Sequence, residues 1–234
     1  MMGGTKMKKL LFITYMAALA ALVGCQQDDE LHTNPIPYVT FSASEEQTMV
    51  IHKPESLSVE IFCSVNDGDW EDIGDKEYSI TFGGAHGDLR LRATSEIGTS
   101  TDDGNYKISF ENETPVACTG DIRTLVDWEN YATANTENAK FYQLFRGCTQ
   151  LVSAPELPAT TLAESCYQHM FRNCTSLNSI TMLATDISAF HSLTNWVDGV
   201  AANGTFTKAA SMTSLSAGSD GIPTGWTVQN YTAP

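Results

Sequence analysis

The chain has 234 residues, with 13 Lys and Arg against 28 Asp and Glu, so its formal net charge at pH 7 is −15. A polyanion of this kind repels the phosphate groups of nucleic acids, which disfavours nucleic-acid binding. The length suits one large domain or two small ones.

The first 24 residues are typical of a secretory signal peptide. Three lysines precede the apolar run "LLFITYMAALAALVG" of residues 10–24, which is too short to span a bilayer comfortably. The run ends in "LVGC", Leu22–Cys25, which resembles the lipobox of bacterial lipoproteins. That resemblance implies cleavage before Cys25 and a lipid on its sulfur. An ordinary signal peptide followed by a chance cysteine is the alternative.

The acidic run "QQDDE" follows Cys25, at residues 26–30. It resembles the surface-export tag of Bacteroidetes-type lipoproteins and implies the outer leaflet of the outer membrane, although a solvated tether has the same composition. Removing residues 1–24 takes away three lysines and no acids, so 13 basic and 28 acidic residues become 10 and 28, a charge of −18. We therefore expect the lipid to anchor the protein, with residues 25–35 as an acidic tether.

Residues 36–120 alternate apolar and polar side chains with a period of two, which predicts β-strands. Asn66-Asp67-Gly68 supplies residues that tolerate positive φ, so the flanking strands should form a hairpin. This pattern predicts a small antiparallel β-sandwich-like module. The alternating segments are Tyr38–Ser42, Leu57–Val65, Glu77–Phe82, Asp88–Ala93 and Tyr106–Phe110.

The acidic cluster that begins at Asp67 invites comparison with an EF-hand calcium loop. Such a loop needs glycine at its sixth position and a carboxylate at its twelfth. Counted from Asp67, these positions carry Asp72 and Tyr78, so the pattern fails and the acids are interpreted as solvated hairpin residues.

A second module, residues 121–234, is predicted to begin where the alternation stops. Asp121 is a plausible helix N-cap for the apolar residues at near-helical spacing between 122 and 128. This module contains two nearly identical stretches, "LFRGCTQL" (Leu144–Leu151) and "MFRNCTSL" (Met170–Leu177), which lie 26 positions apart.

Residues 141–180 resemble the BspA-type leucine-rich repeat of bacterial surface proteins, with its core "AF..C.SL..I..P". The second copy departs from the pattern after Leu177, because Ala184 stands at the position equivalent to Pro158. The matching positions are Phe145, Cys148, Thr149, Leu151, Pro158 and Leu162, then Phe171, Cys174, Thr175, Ser176 and Leu177.

So short an array of repeats must be capped on both sides. We expect residues 121–139 to form one cap. The other is predicted at residues 186–200, as a helix whose apolar stripe is Ile187, Phe190, Leu193, Trp196 and Val197. The predicted fold class is therefore α+β, a small antiparallel β-sandwich-like module followed by a short capped leucine-rich-repeat solenoid.

The sequence carries no HExxH, GxSxG, GxxxxGK[ST] or GxGxxG motif. A zinc site from Cys148, Cys166, His169 and Cys174 has suitable ligand types, but the first and last of these cysteines occupy a repeat position that should face inward. We interpret the repeated cysteines as small buried packing residues. No catalytic residue, metal or cofactor is expected.

These patterns predict a lipid-anchored, non-enzymatic surface protein of the outer membrane. The BspA-type resemblance implies adhesion or recognition, with a host matrix protein or another cell-surface protein as partner. The candidate contact residues are Gln143, Arg146, Gln168 and Arg172. The alternative is a glycan-binding accessory lipoprotein of a polysaccharide-uptake system, with Tyr142, Tyr167, Trp128 and Trp196 either as sugar-stacking rings or as core.

Overall fold

The computed structural model of the protein describes residues 35–54, 60–73, 77–94, 100–101, 104–134 and 141–233. Residues 37–234 form one compact unit, which does not include residues 1–36. The predicted signal peptide, the lipid site at Cys25 and the tether up to residue 34 lie outside the described residues.

Fourteen strands make up the described regular structure, together with three short 3₁₀ helices at Gly84–His86, Ile122–Leu125 and Tyr131–Thr133. The strands are β1 (Val39–Ala43), β2 (Gln47–His52), β3 (Ile61–Val65), β4 (Glu71–Asp72), β5 (Tyr78–Phe82), β6 (Leu89–Ala93), β7 (Ser100–Thr101), β8 (Gly104–Asn105), β9 (Lys107–Phe110), β10 (Val116–Thr119), β11 (Leu151–Ser153), β12 (Ser179–Met182), β13 (Thr205–Lys208) and β14 (Thr227–Asn230).

The strands form a nine-stranded sheet in the order β14-β13-β12-β11-β10-β1-β6-β3-β4 and a three-stranded sheet in the order β5-β2-β9, while β7 and β8 pair with each other. The pairs among β10, β1, β6, β3 and β4 are antiparallel. From β10 to β14 every pair is parallel. The large sheet is therefore mixed.

Five predicted strands are confirmed, as β1, β3, β5, β6 and β9. Along β6, Leu89 and Leu91 are buried, whereas Arg90 between them is half-buried and points to the other face. The predicted hairpin is also confirmed, since β3 pairs antiparallel with β4 and Asn66 and Asp67 have φ of 52° and 57°.

The two sheets pack face to face through aromatic side chains. Phe41 of the large sheet lies 6.1 Å from Phe110 of the small sheet between ring centroids. Phe82, also of the small sheet, lies 6.4 Å from the Phe110 ring and packs beside it. All three rings are buried, so this contact is the core of the sandwich.

Residues 141–230 form what we call the coil stack. Three turn segments, residues 141–148, 167–174 and 193–200, lie one above another, and strands β11, β12 and β13 follow them in the same order. The strand register repeats with the 26-residue period of the sequence, because Ser153 pairs with Ser179 and Ser179 with Thr205.

The sandwich closes one end of the coil stack. The Ile108 amide in β9 donates to the Leu144 carbonyl at 2.8 Å, and the Cys148 thiol donates to the Ile108 carbonyl at 3.0 Å. At the other edge of the stack the Glu156 amide donates to the Gly120 carbonyl at 2.7 Å. The large sheet thus runs through the predicted boundary at residue 120, and one hydrophobic core serves both parts.

The predicted α+β fold with a leucine-rich-repeat solenoid is wrong. The regular secondary structure of the described residues is almost all β, with no α-helix. The predicted cap helix at residues 186–200 fails because His191, Asn195 and Gly199 have φ of 55°, 48° and 75°, values that an α-helix cannot contain. Among the described residues, no helix is long and apolar enough to cross a membrane.

Near the other predicted cap, Asp121 is an N-cap, since its side chain accepts the Arg123 amide at 2.9 Å. The helix that it begins is a 3₁₀ helix of four residues, Ile122–Leu125. Arg123 also forms an ion pair with Asp121, with Nη2 2.7 Å from Oδ2, which fixes the chain where it leaves the sandwich.

Candidate functional site

The third turn segment is a copy of the repeat that sequence reasoning missed. Its apolar residues differ from those of the first two copies, because Trp196 and Val200 stand at the positions of Met170 and Cys174. The backbone pattern is retained. Positive φ recurs at Gln143, His169 and Asn195 (57°, 56° and 48°) and at Gly147, Asn173 and Gly199 (82°, 63° and 75°).

Each turn segment is built from successive tight turns whose remaining amides bond to the next segment. The Phe145 amide donates to the Met170 carbonyl at 3.1 Å, and the Phe171 amide donates to the Trp196 carbonyl at 2.8 Å. Residues at equivalent positions therefore lie in columns along the stack, about 4.8 Å apart, the usual spacing of hydrogen-bonded strands.

The inward columns are apolar. The rings of Phe145 and Phe171 stack at 5.6 Å with 10° between their planes, and Trp196 follows at 6.1 Å from Phe171. All three rings are buried. The backbone that carries the outward residues is consequently a rigid support.

The repeated cysteines belong to this apolar interior. The Cys174 thiol donates to the Phe145 carbonyl at 2.9 Å, and burial raises the pKa of this thiol to about 12. Burial likewise raises the pKa of Cys148 well above its ordinary value, and the neighbouring Cys174 and Cys118 add to the shift. Thiols with so little thiolate at neutral pH are poor nucleophiles and poor metal ligands.

None of the five described cysteines forms a disulfide. Within the described part of the chain, no three His, Cys, Asp or Glu side chains are grouped closely enough for a metal ion.

The outward residues of the three turn segments form a polar surface, which we call the turn face. It contains the four candidate contact residues: Arg146 is exposed, and Gln143, Gln168 and Arg172 are half-buried. Arg146 and Arg172 occupy equivalent positions in adjacent segments, whereas Gln143 and Gln168 do not; the amide of Gln143 donates to the carbonyl of Gln168 at 3.1 Å. The turn face comprises Tyr142, Gln143, Arg146, Gln168, His169, Arg172, Thr194, Asn195 and Asp198.

Two aspartates that sequence reasoning missed lie beyond the two arginines along the coil stack. Asp198 occupies the third equivalent position, and its Oδ2 accepts a hydrogen bond from Arg172 Nε at 3.1 Å. Asp220 lies at the next level in the neighbouring column, because its Oδ1 accepts the Asn195 amide at 2.6 Å where the carbonyls of Gln168 and Thr194 accept the equivalent amides. The ordered set Arg146, Arg172, Asp198 and Asp220 is called the charged strip below.

His169 lies beside the charged strip, in the neighbouring column. Its Nδ1 is buried and has no hydrogen-bond partner in the described part of the structure. Burial lowers the pKa of His169, and Arg172 and Arg146 lower it further, while Asp198 and Asp220 act in the opposite direction. The ring is therefore neutral at pH 7, and Tyr142 lies 5.9 Å away between ring centroids.

A cleft of about 220 Å³ opens at the aspartate end of the charged strip. Asp198 lines one side and Ser219, the neighbour of Asp220, lines another. The remaining lining residues are small or apolar: Val197, Gly199, Val200, Ala201, Ala202, Gly218, Pro223 and Thr224.

The aromatic rings considered for sugar stacking are mostly internal. Tyr167, Trp128 and Trp196 are buried, and Tyr142 is half-buried. Trp128 is covered by the guanidinium of Arg92, which lies 4.1 Å from its ring centroid and 4.3 Å from that of Trp70. This stack is cation–π packing inside the fold and leaves no open aromatic platform at Trp128.

Comparison of the chain with protein-family models, with curated proteins and with solved structures finds no match.

Proposed function

We propose that this protein is a lipid-anchored surface protein of the outer membrane that binds a partner protein through the turn face, without catalysis. The lipobox-like "LVGC" at Leu22–Cys25 and the acidic residues after it support the anchor. The resemblance of residues 141–180 to BspA-type surface proteins supports adhesion, to a host matrix protein or to another cell-surface protein.

The observation that carries the binding proposal is the column of outward charges on a rigid support. Arg146 is exposed, and its one described hydrogen bond, from Nη1 to the neutral amide oxygen Gln143 Oε1, is 3.1 Å long. A guanidinium that no carboxylate of the described residues neutralises, and that is carried on a packed backbone, is preorganised for a partner. Arginine is also a frequent hot-spot residue of protein interfaces.

A protein partner is better supported than a glycan. Sugar recognition by aromatic stacking requires exposed rings, and three of the four candidate rings are buried. The outward residues of the turn segments are instead charges and amides, which suit hydrogen-bonded contact with a protein surface.

Two experiments on the full chain in living cells test this function. Replacing Cys25 with Ala should abolish incorporation of a click-tagged fatty acid; labelling that persists would contradict the lipid anchor. Cells that display the chain should adhere saturably to at least one protein of an extracellular-matrix panel. Arg146→Glu should weaken that adhesion, whereas Lys107→Glu, an exposed cation on β9, should not.

The opposite results would exclude the proposal. Saturable binding of the displayed chain to one polysaccharide, with no protein bound, would replace protein recognition by glycan recognition. Equal adhesion of the Arg146→Glu and wild-type chains would remove the turn face from the binding surface.

A further inference from the structure

The charged strip changes sign only once along the stack. The first two positions, Arg146 and Arg172, are basic, and the next two, Asp198 and Asp220, are acidic. The order is built into the backbone, because these residues project from successive levels of the coil stack. Along the axis of the stack, three steps of about 4.8 Å, or about 14 Å, separate the level of the first charge from that of the last.

The two middle charges neutralise each other, and the two end charges do not. Arg172 and Asp198 form an ion pair at 3.1 Å. Arg146 bonds to a neutral amide, and Asp220 accepts only from neutral donors among the described residues, the Asn195 amide at 2.6 Å and the Ser219 hydroxyl at 3.2 Å. With respect to the part of the chain that the structure describes, the strip therefore presents one unneutralised positive end and one unneutralised negative end.

The negative end also has the shape to admit a side chain. The cleft of about 220 Å³ lies against Asp198 and Ser219, next to Asp220. A lysine or arginine side chain has a long apolar stem and a charged head. Its stem suits the small apolar residues that line this cleft, and its head would lie beside the carboxylate of Asp198, with Asp220 next in sequence to the lining residue Ser219.

The overall charge of −15 attracts any polycation and gives no selectivity by itself. Arg146 supplies the selectivity, because a cationic segment that extends along the whole strip would meet a like charge there. Specific interfaces commonly combine such a repulsive element with an attractive one. A partner segment that carries a carboxylate opposite Arg146 avoids the repulsion.

We propose that the charged strip recognises a protein segment with separated charges, in which a carboxylate binds Arg146 and a lysine or arginine side chain enters the cleft beside Asp198 and Asp220. This inference rests on the proposed function, since it names the chemistry of the partner for the same turn face.

The test uses two synthetic peptides of identical composition as probes. One carries a block of glutamates and a block of lysines joined by a short Gly-Ser spacer, and the other alternates glutamate and lysine. Fluorescence anisotropy against the detergent-solubilised full chain at low ionic strength should show the block peptide binding about fivefold more tightly or better, the scale of one or two exposed ion pairs. Added salt should remove the difference.

Variants assign the effect to the two ends of the strip. Arg146→Glu and Asp220→Asn should each bring the block peptide close to the affinity of the alternating peptide, and Lys107→Glu should leave the preference unchanged. Equal affinity of the wild-type chain for both peptides would overturn the inference, as would a preference that survives Arg146→Glu. Either peptide result would leave the proposed function intact if adhesion still depends on Arg146. Failure of the charge-pattern inference can therefore be distinguished from failure of the proposed function.

Discussion

Replacing Trp196 with Ala tests whether the third turn segment is part of the packed stack. The ring is fully buried and lies 6.4 Å from Tyr167 and 6.1 Å from Phe206 between centroids. Its Nε1 donates to the Gly221 carbonyl at 2.9 Å. Truncating a buried tryptophan costs about 3–5 kcal/mol of the free energy of unfolding, which includes a carbonyl left without its donor.

The matched control is Phe190→Ala in the preceding turn. Phe190 belongs to the same apolar stripe in the sequence, yet its side chain is 67% exposed. Its replacement should therefore change the free energy of unfolding by no more than about 0.5 kcal/mol. Trp196→Phe should lower the free energy of unfolding by about 1–2 kcal/mol, which lies between the losses for Trp196→Ala and Phe190→Ala. The reason is that ring packing is mostly kept and the N–H donor is lost.

Equilibrium urea unfolding followed by far-UV circular dichroism measures all three free energies. Equal, small losses for Trp196→Ala and Phe190→Ala would mean that residues 186–200 lie on the surface, and would refute the three-level stack.

Three other outcomes follow from the same structure. The native protein at pH 8 should not react with an aromatic disulfide reagent at Cys174, because burial raises the pKa of that thiol to about 12; rapid reaction before unfolding would contradict its placement. Cys174→Ala should lower the free energy of unfolding by about 1–2 kcal/mol, whereas an unchanged value would place the sulfur in solvent. The pKa of His169 is lowered in the folded protein, so as pH falls the unfolded chain binds a proton at this residue before the folded chain does. The free energy of unfolding should therefore be highest above about pH 6.5 and should decrease as pH falls from there through the folded-state pKa. His169→Gln should flatten this part of the pH–stability curve, and an unchanged curve would contradict the burial of Nδ1.

The strands of the sandwich could be predicted because a strand that is buried on one face has apolar and polar residues in alternation. In β6, Leu89 and Leu91 face the core and Arg90 does not. The 26-residue repeat was visible because its first two copies keep the same inward residues, such as Cys148 and Cys174.

The third copy could not be recognised from composition, because its inward residues changed. What it kept is backbone chemistry: Asn195 and Gly199 tolerate the positive φ that each turn requires. Since positive φ recurs every fourth residue, the apolar residues between these positions show nearly helical spacing. The cap helix at residues 186–200 was predicted for that reason.

Because residues 186–200 were interpreted as a helix, the two aspartates of the charged strip were not recognised. Arg146 and Arg172 were found by their spacing of 26. Asp198 also obeys that spacing, but it lay in the segment interpreted as a helix. Asp220 stands 26 positions after Thr194 and 52 after Gln168, but these two residues are uncharged, so the spacing did not mark Asp220 as part of a charged series.

The most direct test of the account is the affinity of the full chain for a matrix protein to which displaying cells adhere. We expect Arg146→Glu to raise the dissociation constant about tenfold or more, the scale of an interface hot spot, and Lys107→Glu to leave it within about twofold. Equal constants for the two variants would contradict the claim that the turn face is the binding surface.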